Sequence, residues 1–199
     1  MKYPKLRELR EAIKALIKGP YTSRFPYEAH KPYERFRGKP EFHQDDCIGC
    51  GACFQVCPAG AIEVRDSKGK RSLIVHWDIC IACGQCQANC LTEKGIILSR
   101  EFDLATTENR EDLKQEIKKD LVLCVCCGEV IAPWDQLLWV AKKLGPLVFS
   151  NATLMLFYLQ QLNLALKGES SLRDDDEFLR SDRVKILCPR CRRQVVLKS

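Results

Sequence analysis

Apolar residues recur at helical spacing over the first nineteen positions. Leu6, Leu9, Ile13, Leu16 and Ile17 fall on one face, and Gly19-Pro20 ends the run. The opposite face carries Lys2, Lys5, Arg7, Arg10, Lys14 and Lys18 against Glu8 and Glu11. Such an amphipathic helix packs on its own domain, or lies on a partner or membrane surface where basic groups meet anionic headgroups. Both readings stand at this stage. Periodicity then disappears over residues 20–45, where proline, aromatic and charged residues mix as in an extended docking arm. Short β-prone runs follow at 62–65 and 73–77 around the turn signal Asp66-Ser67-Lys68-Gly69-Lys70, and another at 95–98.

The last hundred residues read differently. A charged linker and helix are expected over 109–120, and residues 144–166 form a stretch without charge. That stretch holds Pro146, Ser150, Asn151, Thr153, Gln160, Gln161 and Asn163, whereas a membrane span needs about 20 predominantly apolar residues. It reads as a loop followed by a buried or partner-facing helix. Residues 184–187 and 194–198 alternate like strands around Cys188-Pro189-Arg190-Cys191, which predicts a hairpin with a metal knuckle at its tip.

Thirteen cysteines change the picture. Met1 leads straight into a charged segment with no apolar core of a secretory signal, so the expected compartment is the reducing cytoplasm. Dense cysteine there points to metal binding before disulfides. CIGCGACFQVC, from Cys47 to Cys57, recurs as CIACGQCQANC, from Cys80 to Cys90, thirty-three residues on. A strand is expected before each copy. The spacing of Cys47, Cys50, Cys53 and Cys57-Pro58 is that of bacterial ferredoxins, in which the fourth cysteine ligates the other cluster. Cluster one is therefore assigned to Cys47, Cys50, Cys53 and Cys90, and cluster two to Cys80, Cys83, Cys86 and Cys57. Gly51 and Gly84 give the tight loops their freedom, and Ile48 and Ile81 are placed to shield the clusters from water. Leu91 stands where the first copy has Pro58, which alters helix entry rather than ligation. Two zinc knuckles would need four ligands each in another pattern.

A second site is expected from Cys124-x2-Cys127 and Cys188-x2-Cys191, two knuckles of zinc-ribbon type. Four thiolates suit zinc; a rubredoxin-like iron uses the same ligands, and free thiols are the third possibility. Cys126 offers itself as an alternative to Cys124 or Cys127. His30, His43 and His76 are isolated and are assigned no ligation. The formal charge of +6 invites a nucleic-acid reading. However, each tetrathiolate cluster or zinc would add about −2, and three such sites cancel the excess. Few aromatics near the ribbon weaken that reading further, and no nucleic-acid partner is expected. No nucleophile, base or substrate-pocket signature appears, so a non-catalytic electron-transfer subunit is expected.

The arm and the cluster motifs together resemble a known family. The arm motif Glu34-Arg35-Phe36-Arg37-Gly38 before CIGCGACFQVCPAGAI resembles the two-cluster subunit shared by respiratory complex I (its chain I or TYKY-type subunit) and the membrane-bound nickel–iron hydrogenases. Glu101-Phe102-Asp103-Leu104-Ala105 and Asn109-Arg110-Glu111-Asp112-Leu113 resemble the segment that leaves their cluster domain. LCVCC at 123–127 with CPRC at 188–191 is similar to the cysteine-rich tail of the iron–sulfur subunit of formate hydrogenlyase and hydrogenase-4 complexes, although the spacing around Cys126 departs from it. The resemblance implies a relay between an iron–sulfur donor subunit and the hydrogenase small subunit. It also implies a large subunit and a membrane-arm subunit as partners, and a peripheral position on the inner face of the cell membrane. The equivalent relay of a quinone-reducing complex I is the alternative, which the ribbon tail argues against; a free ferredoxin would leave over half the chain without use. The expected fold is α+β. An amphipathic helix and arm occupy 1–45, a two-cluster ferredoxin-like domain 46–115, and a zinc-ribbon-like region with a helical insertion 116–199.

Overall fold

The computed structural model describes residues 5–19, 22–107, 109–165 and 180–198. The chain forms two compact units, 1–36 and 37–199.

The first unit holds helix α1, Leu6–Lys18. Its N-terminus is closed by Glu8, whose carboxylate accepts the Lys5 amide at 3.1 Å, and Gly19 ends it in a left-handed turn. None of its residues is buried, and Leu6 and Leu16 are each 86% exposed. Beyond it, residues 22–36 form turns rather than regular elements: the Glu28 amide bonds Arg24, and the Phe36 amide bonds Tyr33.

The second unit begins with β1, Pro40–Phe42, which pairs antiparallel with β4, Ile96–Leu98. Between them lie the four-residue helices α2, Ala52–Gln55, and α3, Gln85–Ala88, and the hairpin of β2, Ile62–Ser67, and β3, Lys70–His76. The hairpin turns on Lys68-Gly69, both with positive φ, the conformation that matches the twist of paired strands. Leu73 and Val75 of β3 point inward with no exposure, meeting Phe42, Ile62, Ile96 and Ile117. This first core backs the repeated cysteine loops.

Two expectations from the sequence are corrected here. Residues 109–120 are not a helix: after one 3-10 turn, Arg110–Asp112, the chain runs as β5, Lys114–Leu123, antiparallel to β3. Gln115, Ile117 and Lys119 face inward at period two, and β3 supplies partners for the backbone groups of β5. β5 thus runs through the expected boundary at 115/116, and β6, Val130–Pro133, extends the sheet to four strands in the order β2-β3-β5-β6. The second correction concerns 184–198, which form no hairpin. Arg180–Val184 is a 3-10 turn, and Pro189–Lys198 is helix α6. Cys188, Cys191 and Val195 are buried at helical spacing, so one helix face rather than two alternating strands meets the core.

Helix α4, Trp134–Leu144, and helix α5, Ala152–Gln161, build a second core. Val148, Leu154 and Phe157 are buried in it, and Trp134 meets Phe157 edge to face at 5.0 Å. The uncharged stretch thus gives a 3-10 turn, Gly145–Ser150, and a helix with Leu154 and Phe157 buried, while Leu147, Phe149 and Leu164 stay exposed. Among the described residues, no helix is long and apolar enough to cross a membrane.

Candidate cluster and metal sites

Each cysteine loop turns on a left-handed glycine that opens a short helix: Gly51 (φ 77°) before α2 and Gly84 (φ 81°) before α3. A side chain at either position would strain the turn that presents the preceding thiols. The eight cysteines line two cavities. Cys47, Cys50, Cys53 and Cys90 surround one, with Phe42, Leu73 and Ile96 among its walls. Cys80, Cys83, Cys86 and Cys57 surround the other, against Pro40, Val75 and Leu98. Cys57, fourth in the first run, thus lines the cavity of the second, and Cys90 does the reverse. β1 and β4 wall both cavities, one with Pro40 and Leu98, the other with Phe42 and Ile96.

The donor set fits a thiolate-bound cubane. The Ala61 amide donates to Cys57 Sγ at 3.3 Å, and the Ala82 amide to Cys80 Sγ at 3.4 Å. Burial pushes Cys53 up to about 12 and Cys86 up to about 11, and raises Cys47 and Cys80. These thiols hold their protons until a metal displaces them. Cys90 differs. Burial raises it too, but hydrogen bonding from Thr92, Gly95 and Ile96 outweighs that and lowers it. Thr92 Oγ1 lies 3.4 Å from its sulfur and accepts the Gly95 amide.

The loops are unequal in cover. Ile48 is 8% exposed, while Ile81 lines the second cavity yet remains 65% exposed. The β5–β6 ribbon packs on the residue next to Ile48. A Cβ at Gly49 would lie 3.2 Å from Lys119 and Pro133, so the ribbon sits directly on the first loop. Lys119 was missed in the sequence because a helical reading of 109–120 puts it at a solvated position. The period-two pattern Gln115, Ile117, Lys119 would have flagged it as a polar residue facing inward. Its ammonium donates to the Gln44 carbonyl and to Asp135 Oδ2 at 2.8 Å.

At the far end of β5, Cys124, Cys127, Cys188 and Cys191 bring their sulfurs within 4.8 Å of one another. Cys126 is not in this group, which takes Cys124 and Cys127, the pair with two residues between them. Cys127 Sγ lies 3.7 Å from Cys188 Sγ, and the Cys191 amide donates to Cys188 Sγ. Burial opposes ionisation of Cys124, yet amide hydrogen bonds from Cys127, Cys188 and Cys126 bring it down to about 7. Burial pushes Cys188 up to about 11 and raises Cys191 as well. A bound cation would displace those protons, so affinity should fall on acidification. His30, His43 and His76 join no such group among the described residues.

The 4Fe-4S dicluster domain family matches residues 26–61 and 46–94. Formate hydrogenlyase subunit 6 of Escherichia coli is 37% identical over 122 residues, covering 60% of this chain and 67% of that protein. NADH-quinone oxidoreductase subunit I of Carboxydothermus hydrogenoformans is 38% identical over 71 residues, 34% of this chain and 51% of its own length, so the chain spans about half of that relative. A chain of the membrane-bound sulfane sulfur reductase, an archaeal respiratory membrane complex, is 29% identical with a TM-score of 0.40, covering 57% of this chain and 62% of its own. The crossed cysteine repeat and the extent of the first match lead to one conclusion: this chain belongs to the family of 4Fe-4S iron–sulfur subunits that includes formate hydrogenlyase subunit 6 and NADH-quinone oxidoreductase subunit I.

Proposed function

We propose that the chain is the electron-relay subunit of a membrane-bound hydrogenase or formate hydrogenlyase-type complex. It would pass single electrons from an iron–sulfur donor subunit towards the hydrogenase small subunit. Bound 4Fe-4S clusters supply one-electron carriers that need no bond-making. Cys47, Cys50, Cys53 and Cys90 would hold one, and Cys80, Cys83, Cys86 and Cys57 the other. The observation that carries this reading is the exchange of the fourth cysteines between two cavities with a common β1–β4 wall, which would hold both carriers side by side. The 122-residue match to formate hydrogenlyase subunit 6 supports this parent complex over a quinone reductase. The tetrad of Cys124, Cys127, Cys188 and Cys191 would hold one zinc as a closed structural site.

Anaerobically purified protein should contain about eight iron and eight acid-labile sulfide, as two four-iron clusters require. Its reduced form should give the EPR of two interacting S = 1/2 centres. Cys53→Ser should damage the first cluster and Cys57→Ser the second, although the two residues are neighbours in sequence. Four iron in total, or both variants damaging the same centre, would sink the assignment.

Helix α1 offers an exposed apolar stripe beside a basic face, which supports a peripheral seat on a membrane-arm subunit or the bilayer surface. Removing residues 1–19 should lower the fraction of the chain that co-sediments with membranes holding its partners. Unchanged co-sedimentation would assign the helix to its own chain instead.

A further inference from the structure

We infer that Lys119 is a tuning residue that raises the reduction potential of the cluster held by Cys47, Cys50, Cys53 and Cys90 above what its ligands alone would set. This rests on the reading of those cysteines as ligands of a 4Fe-4S cluster. The geometry begins at Gly49, inside the first cysteine loop. A Cβ there would lie 3.2 Å from both Cβ and Cγ of Lys119, so the lysine stem lies against the backbone between Cys47 and Cys50. The side chain is 7% exposed, and its ammonium donates to the Gln44 carbonyl, three residues before Cys47.

The counter-charge does not cancel this field. Asp135 holds the ammonium at 2.8 Å from helix α4, but its side chain is 41% exposed. Water therefore screens the anion more than the cation, which is held on the Gln44 carbonyl just ahead of the loop. A buried ion pair is poor evidence for stability, since apolar residues of similar volume often serve as well. A one-sided pair beside a redox site has an electrostatic consequence that such residues would lack. Reduction adds a negative charge to a cluster, and a nearby unscreened cation favours that step.

Among the described residues, the cation seen against the second loop is Arg37, whose guanidinium donates to the Cys83 carbonyl at 3.1 Å from an exposed position. The first loop has a further cation in Arg71, which donates to the Gly49 carbonyl at 3.2 Å. Arg71, however, is matched by Asp66 through two bonds of 2.8 Å. Lys119, held by a single carboxylate contact rather than two, is thus a buried charge whose effect should fall on the first cluster more than on the second. It also ties that cluster to the ribbon: β5 runs on from Lys119 to the tetrad, and α4 carries its partner.

The test is an EPR-monitored redox titration of the full chain loaded with both clusters, with the first centre assigned by its loss in Cys53→Ser. Lys119→Met should make reduction of the first cluster about tenfold less favourable, a downward shift of about 59 mV for one electron. The second cluster should move much less. Lys119→Arg should stay near wild type, and Asp135→Asn should shift the first cluster upward. A purely structural lysine would alter cluster occupancy without these opposite signs. Equal shifts at both clusters, or unchanged potentials in Lys119→Met with iron retained, would overturn the inference. If Lys119→Met fails to hold its first cluster, Asp135→Asn decides: an upward shift supports the role, and no shift overturns it. Failure of the cluster reading would show separately, as a wild-type chain with four iron or fewer.

Discussion

Cys188→Ser should release zinc from the C-terminal tetrad and open the ribbon region to proteolysis, while iron and sulfide stay at wild-type levels. Cys188 is 1% exposed and lies at the N-terminus of α6, with its sulfur 3.7 Å from that of Cys127. Its loss would take a ligand from the proposed site, which is drawn from both ends of the region, one knuckle on the β5–β6 turn and the other at the start of α6. Binding of structural zinc is folding free energy, on the order of 10 kcal/mol in small zinc domains. The second core, with Val148, Leu154 and Phe157, retains some packing of its own, so the effect on this region should be large without unfolding the cluster domain. Cys126→Ser, outside the tetrad, should keep its zinc. Elemental analysis with limited proteolysis reads both results. Retained zinc in Cys188→Ser, or zinc lost only from Cys126→Ser, would reassign the ligands.

How much of this was legible in the sequence depends on the range of the interactions. The β2–β3 hairpin was, because alternation and Lys68-Gly69 act locally. The two cysteine loops that turn on Gly51 and Gly84 were, because their repeated spacing is local. Helix α1 was, from period and terminal glycine alone. β5 was not, since KQEIKKDLVL is rich in good helix formers and its strand state depends on β3, some forty residues earlier. Gln115 illustrates the point. Its side-chain amide accepts from the Phe42 amide at 2.7 Å and donates to the Phe42 carbonyl at 3.1 Å, standing in for a neighbouring strand across seventy-three positions. The misread of α6 has the reverse cause: the short run QVVLK alternates, but burial of Cys188, Cys191 and Val195 on one side selects a helix. Lys119 could not be read as a site residue until β5 was a strand.

Gly38→Ala should destabilise the cluster domain by about 1–3 kcal/mol, the usual cost of overpacking, and should weaken the second cluster before the first. Gly38 belongs to the arm motif Glu34-Arg35-Phe36-Arg37-Gly38, and it is buried. A Cβ there would clash with the backbone oxygen of Glu101 and lie 2.8 Å from that of Ser99. Backbone cannot swing aside as a long side chain can. The same stretch is bound by the Gly38 amide to Ser99 O at 2.9 Å and the Lys39 amide to Glu101 O at 3.0 Å, so relief of the clash must loosen these bonds. They continue the β1–β4 ladder, whose near end carries Pro40 and Leu98 into the wall of the Cys80 cavity. Arg37, one residue away, would also be drawn off the Cys83 carbonyl. The far end of the ladder, Phe42 and Ile96 beside the Cys47 cavity, is held independently by Gln115 and should move less. Heating the loaded protein anaerobically, with visible absorbance and EPR followed together, should show earlier loss of the second centre in Gly38→Ala. Simultaneous loss of both at the wild-type temperature would mean that the arm glycine is not what holds this wall in place.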